Sequence, residues 1–331
     1  MNIVLSGVKP TGIPTLGNYL GALRNFVKLQ EKMKDYEFFI FVADLHAITT
    51  PQDPKILRQN IKNVAALYLA CGLKPEGLTL FLQSEVHEHA ELSAVMQSVV
   101  YMGELERMTQ YKDKMAKQTV GVTAALFTYP ALMAADILLY DAKYVPVGED
   151  QNQHLELARD LAIRFNNRFG NTFTVPEGLV QEKGARIKDL QDPSKKMDKS
   201  AENDKGCIFL LEPIASIKKK IKSAVTDNEA NVRFDPDKQP GIANLMTIYS
   251  ILAEMPFSEI EAKYRGQGYG SFKDDLSEIV AKEIEIIQER YQRYINSDEL
   301  DALLDRGRDQ AHVLAQRKLA KVYHKLGLGR Q

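Results

Sequence analysis

The sequence predicts an α/β fold: a doubly wound, parallel, Rossmann-like sheet followed by a C-terminal helical domain. Three observations carry this. Short apolar runs alternate with segments of helical period through the first half of the chain. Polar stretches follow the predicted strands, at the carboxyl ends where doubly wound sheets bind ligands. Beyond Gly206 the strand-like runs cease and long helical stripes replace them.

Asn2 to Ser6 reads as a buried first strand, and a turn-rich stretch with Lys9, Pro10, Thr11, Gly12 and Pro14 follows it. Leu16, Leu20, Leu23 and Val27 then recur at helical spacing. Phe38 to Val42 is a second buried strand, ending in Ala43-Asp44-Leu45-His46. Leu57, Ile61, Val64, Tyr68 and Cys71 mark a helix that Gly72 stops. Thr79 to Leu82 is a third strand. Tyr144 to Val147 is a fourth, running into Gly148-Glu149-Asp150 and a helix through Phe165. After about Asn167 a polar loop runs to about Gly206. Further on, Leu276, Ile279, Ile284, Ile287, Tyr291 and Ile295 form one apolar stripe, and Leu300, Leu304, Gly307, Ala311 and Leu314 another. The layout expected is an α/β domain over 1–205 and a helical domain over 206–331, the last helix packing back on the α/β domain.

Composition narrows the function. The 331 residues suffice for two domains, and the formal net charge of −1 confines any nucleic-acid contact to local basic patches. That near-neutrality argues against a non-specific nucleic-acid coat protein. Cys71 and Cys207 stand in no metal-ligand spacing and read as buried free thiols of a reducing compartment. The N-terminus has no signal-peptide pattern, and no uncharged run approaches membrane-spanning length. A cytoplasmic protein without membrane contact is expected.

Two segments point to polyphosphate chemistry. Thr15-Leu16-Gly17-Asn18 opens a helix, where free backbone N–H groups meet anions, and Gly12 and Gly17 allow close backbone approach. It matches neither the dinucleotide fingerprint nor the Walker pattern, and a capped turn is the plainer reading. Lys195-Lys196-Met197-Asp198-Lys199-Ser200 puts three lysines in a polar loop. Such a run is usually solvated surface, but on a closing loop it can neutralise a triphosphate.

In their order and their separation of about 180 residues, the two segments resemble the HIGH and KMSKS signatures of class I aminoacyl-tRNA synthetases. Thr15 and Asn18 occupy the histidine positions of the first signature, as in the tryptophan branch of that family. Asp198 replaces the usual serine of the second. The similarity extends to Gly103 through Gln110, Tyr129 through Asp136, Gly148 through Gln151 and the terminal Gly327-Leu328-Gly329.

The resemblance implies ATP-dependent activation of L-tryptophan, then transfer to its tRNA. It implies catalytic roles for Lys196, Lys199 and Lys114 at the phosphates. ATP contacts are implied at Lys9, Pro10, Thr11, Gly17, Asn18, Gly148, Glu149, Asp150, Ile187, Lys196, Met197, Asp198, Lys199 and Ser200. Lys9 departs from the glutamine common in the family. Mg²⁺ is expected to arrive with ATP, held by phosphates and water and by no dedicated protein ligands. A homodimer is implied, with one tRNA spanning both subunits. The apolar residues of Leu92 through Met108 are a candidate contact surface.

Tyr129, Met133, Asp136 and Tyr140 share one face of a helix with Pro130 near its first turn. One carboxylate in an apolar wall complements an indole, a flat apolar body with a single N–H donor. Asp136 capping a neighbouring element or pairing with a lysine is an equal reading from the helix alone. The resemblance assigns Asp136 to the indole N–H, with Met133 and Tyr129 lining the pocket. His46 and Gln151 are candidate contacts for the amino-acid end.

Two further clusters have bland alternatives. Glu85-Val86-His87-Glu88-His89 contains metal-ligating types, but no third ligand stands at a suitable spacing, so a helix-entry surface is expected. Lys218, Lys219, Lys220 and Lys222 are either a phosphate-tracking face or simply solvated. The rivals to the tryptophan reading are the tyrosine enzyme of the same family, a non-catalytic RNA-binding relative and a plain nucleotidyltransferase. A phenol asks for a second polar partner beside the carboxylate, where this helix offers Met133.

Overall fold

The computed structural model describes residues 2–116, 121–148, 151–180, 186–197 and 204–330, without the side chains of 113, 114, 116 and 180. Five parallel strands, β1 (Asn2–Val8), β2 (Tyr36–Val42), β3 (Leu78–Leu82), β4 (Tyr144–Val147) and β5 (Glu177–Val180), form one sheet in the order β3-β2-β1-β4-β5. The order reverses between β1 and β4, and a ligand crevice opens at such a switch point. Val8 lies level with Val42, and Val42 with Leu82, so the three following loops emerge along one edge. β4 delivers Gly148 to that same edge.

β5 corrects the expectation of a polar loop after Asn167. Glu177 through Val180 pair with Tyr144 through Val147. A four-residue strand whose only apolar pair is Leu179-Val180 is too short to show a period.

The strands alternate their side chains between two cores. Val4, Ile40 and Leu80 enter one, and Leu5, Phe39 and Phe81 the other. The helices after β1 to β4 cover both faces: α1 (Arg24–Lys32), α2 (Pro54–Ala70), α3 (Glu88–Gln97), α4 (Ala124–Leu138) and α5 (Asn152–Phe169). A π-helical turn at Tyr19–Leu23 precedes α1, interrupting what periodicity reads as one continuous helix. Thr123 caps α4, its hydroxyl accepting from the Leu126 N–H at 3.2 Å. The helix therefore begins earlier than expected, and Pro130 sits in its interior instead of its first turn.

The second half is helical: α6 (Ile214–Lys222), α7 (Pro240–Ala253), α8 (Gly268–Ile295) and α9 (Asp298–Leu326). α8 packs on α2, where the Tyr291 hydroxyl donates to Asn63 Oδ1 at 2.8 Å. α9 runs along β3, the edge strand. It presents Gly307 to the Leu80 backbone and buries Ala311 and Ala315, so small residues let helix and strand meet closely. An exposed strand edge is a template for aggregation, and α9 covers it. No helix among the described residues is long and apolar enough to cross a membrane.

Candidate active site

The loop after β1 is fixed by a reciprocal cap. Asn18 Oδ1 accepts from the Thr15 N–H at 3.0 Å, while Thr15 Oγ1 accepts from the Asn18 N–H at 3.2 Å. Both readings of this segment thus meet in one geometry: a capped turn holds the first helical N–H groups at the sheet's carboxyl edge. Thr15, Leu16 and Gly17 are buried, and the Leu16 N–H donates to the Ile208 carbonyl at 2.8 Å.

The lysine segment returns to this loop as an antiparallel hairpin. Lys188 pairs with Lys196, the Met197 N–H donates to the Ile187 carbonyl at 3.0 Å, and the Asp189 N–H to the Lys195 carbonyl at 3.1 Å. Asn244 on α7 clamps the hairpin from behind: its Oδ1 accepts from the Lys188 N–H at 2.8 Å, and its Nδ2 donates to the Lys188 carbonyl at 3.0 Å. Ile187 and Met197 are buried, while Lys196 is exposed. Asp198, Lys199, Ser200, Glu149 and Asp150 lie outside the described residues, as does the side chain of Lys114 on the Thr109–Ala116 helix.

Asp136, on α4, is 1% exposed. Its Oδ2 accepts from His46 Nε2 at 2.8 Å, and its Oδ1 from Gln83 Nε2 at 2.7 Å and His89 Nδ1 at 2.6 Å. Among the described residues, neither a lysine nor a cap partners it. Burial pushes its pKa up, but hydrogen bonds and charge from His46 and His89 outweigh that and hold it at about 2. A carboxylate has about four acceptor positions, so three donors leave one on Oδ2.

Beyond it a relay continues. The Tyr140 hydroxyl meets His89 Nε2 at 2.7 Å, with burial holding the phenol far above its usual range. Tyr129 stands edge-on to the His46 ring, with centroids 6.4 Å apart, and its hydroxyl meets His154 Nε2 at 2.6 Å. Lys9 Nζ lies 6.0 Å from the Tyr129 ring centre. Met133 is half-buried on the same helix. Gln151 is the residue just before α5, with its N–H donating to the Gly148 carbonyl at 2.9 Å. Pro10 is buried and Thr11 exposed in the first loop.

The fold thus brings together residues from four strand ends. Tyr140 was placed on the Asp136 face by sequence, whereas Gln83, His89, His154 and Asn244 were not singled out as pocket or hairpin residues. Only His89 carried a signal, as part of the Glu85–His89 cluster. That cluster is not simply a helix-entry surface: His87 is exposed, but Glu88 and His89 are buried. Nor is Leu92 through Met108 a free apolar surface. Leu92, Val95, Met96, Val99, Leu105 and Met108 lie in the chain's own core, leaving Tyr101 and Met102 exposed. In the basic run, Lys218 pairs with Glu278, Lys222 with Asp274, and Lys220 with Glu212.

Residues 1–285 match the family model described as tRNA synthetases class I (W and Y). A tryptophan–tRNA ligase of Bacillus anthracis is 53% identical over 331 residues, covering 100% of this chain and 99% of that one. The Bacillus subtilis tryptophan–tRNA ligase is 54% identical over 328 residues, covering 99% and 98%. Among solved structures, the tryptophanyl-tRNA synthetase of Mycoplasma pneumoniae superimposes with a TM-score of 0.87 at 39% identity, covering 99% and 98% of the two chains. That of Campylobacter jejuni, complexed with ADP and tryptophan, gives 0.85 at 38% identity, covering 98% and 100%.

Proposed function

The chain belongs to the class I tRNA synthetases that serve tryptophan and tyrosine, and from that premise we propose how its site divides the work. It activates L-tryptophan with ATP to tryptophanyl-adenylate and transfers the tryptophan to tRNA(Trp). In the first step the amino-acid carboxylate attacks the α-phosphorus, and the bond to pyrophosphate breaks. In the second, a terminal hydroxyl of the tRNA takes the acyl group and AMP leaves. Neither step needs a covalent enzyme intermediate, so positioning and charge stabilisation are what the protein supplies.

The observation that carries the amino-acid assignment is the ionised carboxylate of Asp136, buried and holding one open acceptor position. An indole N–H fills that position. His46, Gln83 and His89 fix the carboxylate's orientation, and Tyr129 and Met133 line the indole. Discrimination follows because an analogue lacking the donor leaves a buried acceptor short of a partner. Gln151 is assigned to the amino-acid end, whereas the His46 ring, expected there, is committed to Asp136 and so serves the indole end.

ATP is the second substrate. The capped first loop (Lys9, Pro10, Thr11, Gly17, Asn18) takes its phosphates, and Gly148 with Glu149 and Asp150 takes the ribose. The Ile187 side chain is buried, so the adenine is met along the hairpin backbone. Lys196, Lys199 and Lys114 neutralise the departing pyrophosphate, with Met197, Asp198 and Ser200 shaping the loop. Mg²⁺ enters bound to the phosphates. The helical half meets the tRNA. Because Lys218, Lys220 and Lys222 are engaged within the chain, Lys219 is the member of that run left to reach a phosphate. The chain pairs as a homodimer through a surface that includes Tyr101 and Met102. Two buried free cysteines accord with a cytoplasmic setting.

The test is amino-acid-dependent ATP–pyrophosphate exchange with tryptophan and tyrosine at equal concentrations. Exchange with tryptophan alone is expected, and Lys196→Ala should slow it without raising the KM for tryptophan. Exchange driven by tyrosine would overturn the assignment of Asp136.

A further inference from the structure

We propose that His87, Glu88 and His312 form a site for a divalent transition metal ion such as Zn²⁺, joining α9 to the start of α3. The proposal starts from Glu88. Its side chain is 1% exposed, and neither carboxylate oxygen accepts a hydrogen bond among the described residues. A buried carboxylate without donors is unstable unless a positive charge stands beside it. The groups that approach it are ring nitrogens: His312 Nδ1 lies 2.7 Å from Glu88 Oε1, and His87 Nε2 lies 3.6 Å from the same oxygen.

The geometry suits a metal better than a proton. One donor atom from each of the three side chains lies within 4.8 Å of the others. Ligands about 2.0–2.1 Å from a tetrahedral Zn²⁺ stand about 3.3 Å apart, between the two distances to Glu88 Oε1. Two imidazoles and one carboxylate form a nitrogen-rich set that favours Zn²⁺, Co²⁺ or Cu²⁺ over Mg²⁺ or Ca²⁺. Glu91 Oε1, 3.5 Å from His87 Nε2, adds a second negative charge. The side chains of His87 and His312 are 65% and 37% exposed, which gives an ion a path from solvent and leaves a position for water.

The placement has a structural consequence. Glu88 is the first residue of α3, and the next residue, His89, donates to Asp136. His312 comes from the helix that covers β3. An ion here fixes the element carrying His89 to the helix that closes the sheet edge. No sequence spacing could announce the site, because its third ligand comes from the far end of the chain.

The test uses the full-length protein stripped with chelator, then titrated with Co²⁺ alone and followed by visible d–d absorption. Zn²⁺ alone, followed by calorimetry, gives the stoichiometry. One ion per chain is expected. His312→Ala and His87→Gln should each weaken Co²⁺ binding by at least ~100-fold. Both replace partly exposed side chains outside the tryptophan pocket, so circular dichroism and tryptophan-dependent exchange should be unchanged. The protein has six histidines, and His46, His89 and His154 belong to the pocket network. His324→Ala therefore controls for the one that remains, and its binding should match the parent. Absence of stoichiometric binding to the parent protein would overturn the proposal. So would binding unaltered in both ligand variants, or binding lost with His324→Ala.

Discussion

Gly17 lies against Met197: a Cβ on Gly17 would stand 3.3 Å from the Met197 Cβ and 3.5 Å from its carbonyl oxygen. The first loop and the lysine hairpin, far apart in sequence, therefore touch through a residue with no side chain. Any movement of the hairpin toward bound ATP slides along this contact. Gly17→Ala should fold, because its backbone is not left-handed, yet crowd the hairpin at an overpacking cost of about 1–3 kcal/mol. The expected outcome is at least a tenfold fall in exchange rate with the tryptophan KM little changed. A variant as active as the parent would show that the contact does not constrain the loop.

Asp136→Asn keeps the shape of the pocket but removes the charge that three donors surround. Hydrogen bonds to charged groups contribute about 1.5–3 kcal/mol, so tryptophan should bind roughly 10- to 100-fold more weakly. The KM for ATP should hardly move. The chain contains no tryptophan, so ligand fluorescence excited beyond the tyrosine band reports binding directly. Equal losses for tryptophan and ATP would mean that Asp136 supports the fold and not the indole.

The pH dependence has a definite sign. Asp136 moves from an ordinary 3.8 to about 2 on folding: burial acts upward, and the His46 and His89 hydrogen bonds act downward and prevail. A depressed folded pKa stabilises the native state above the unfolded value, and that stability is lost as pH falls through the folded value. The window is therefore about pH 4 down to 2, with on the order of 2 kcal/mol at stake. Tryptophan affinity should show no carboxylate titration between pH 5 and 8. In acid unfolding, Asp136→Asn should flatten the limb below pH 4. An unaltered limb would place the acid sensitivity elsewhere.

The legible part of this site was what lies close in sequence. Tyr129, Met133 and Asp136 share a helix face because spacing of +4 and +3 requires it. Strands 1 to 4 announced themselves as apolar runs between turns. The partners of Asp136 were not legible, since His46, Gln83 and His89 meet it only once parallel pairing levels the ends of β1, β2 and β3. Parallel register depends on crossover helices, and no local pattern encodes it. The same holds for Asn244, an ordinary residue of an apolar helix until Lys188 is laid against it.

Asn244 gives a prediction that separates ATP from tryptophan. Its side chain makes two hydrogen bonds to the Lys188 backbone, and Asn244→Ala leaves a part-buried N–H and C=O without that partner, costing about 1 kcal/mol. The hairpin carrying Lys196 should loosen, with the ATP KM rising and the maximal exchange rate falling. Tryptophan binding without ATP should remain as in the parent. A selective loss of tryptophan affinity would contradict the role assigned to the hairpin.

Gly307 tests how α9 seats on the sheet. A Cβ there would fall 1.9 Å from the Leu80 carbonyl oxygen and 2.6 Å from its carbon. Both atoms are backbone in the edge strand, so no side-chain rotation can relieve the clash. Gly307→Ala must lift the helix or shift β3, at a cost near the upper end of the overpacking range, about 3 kcal/mol. At roughly 2 °C per kcal/mol for a chain of this size, the thermal midpoint should fall by about 6 °C. Lifting α9 also uncovers a strand edge, so heating should end in aggregation sooner than for the parent. Val313→Ala, an exposed position on the same helix, should leave the midpoint within about 1 °C, since surface substitutions rarely exceed ±0.5 kcal/mol. If the two variants melt together, α9 does not bear on β3 as closely as the Gly307–Leu80 contact requires.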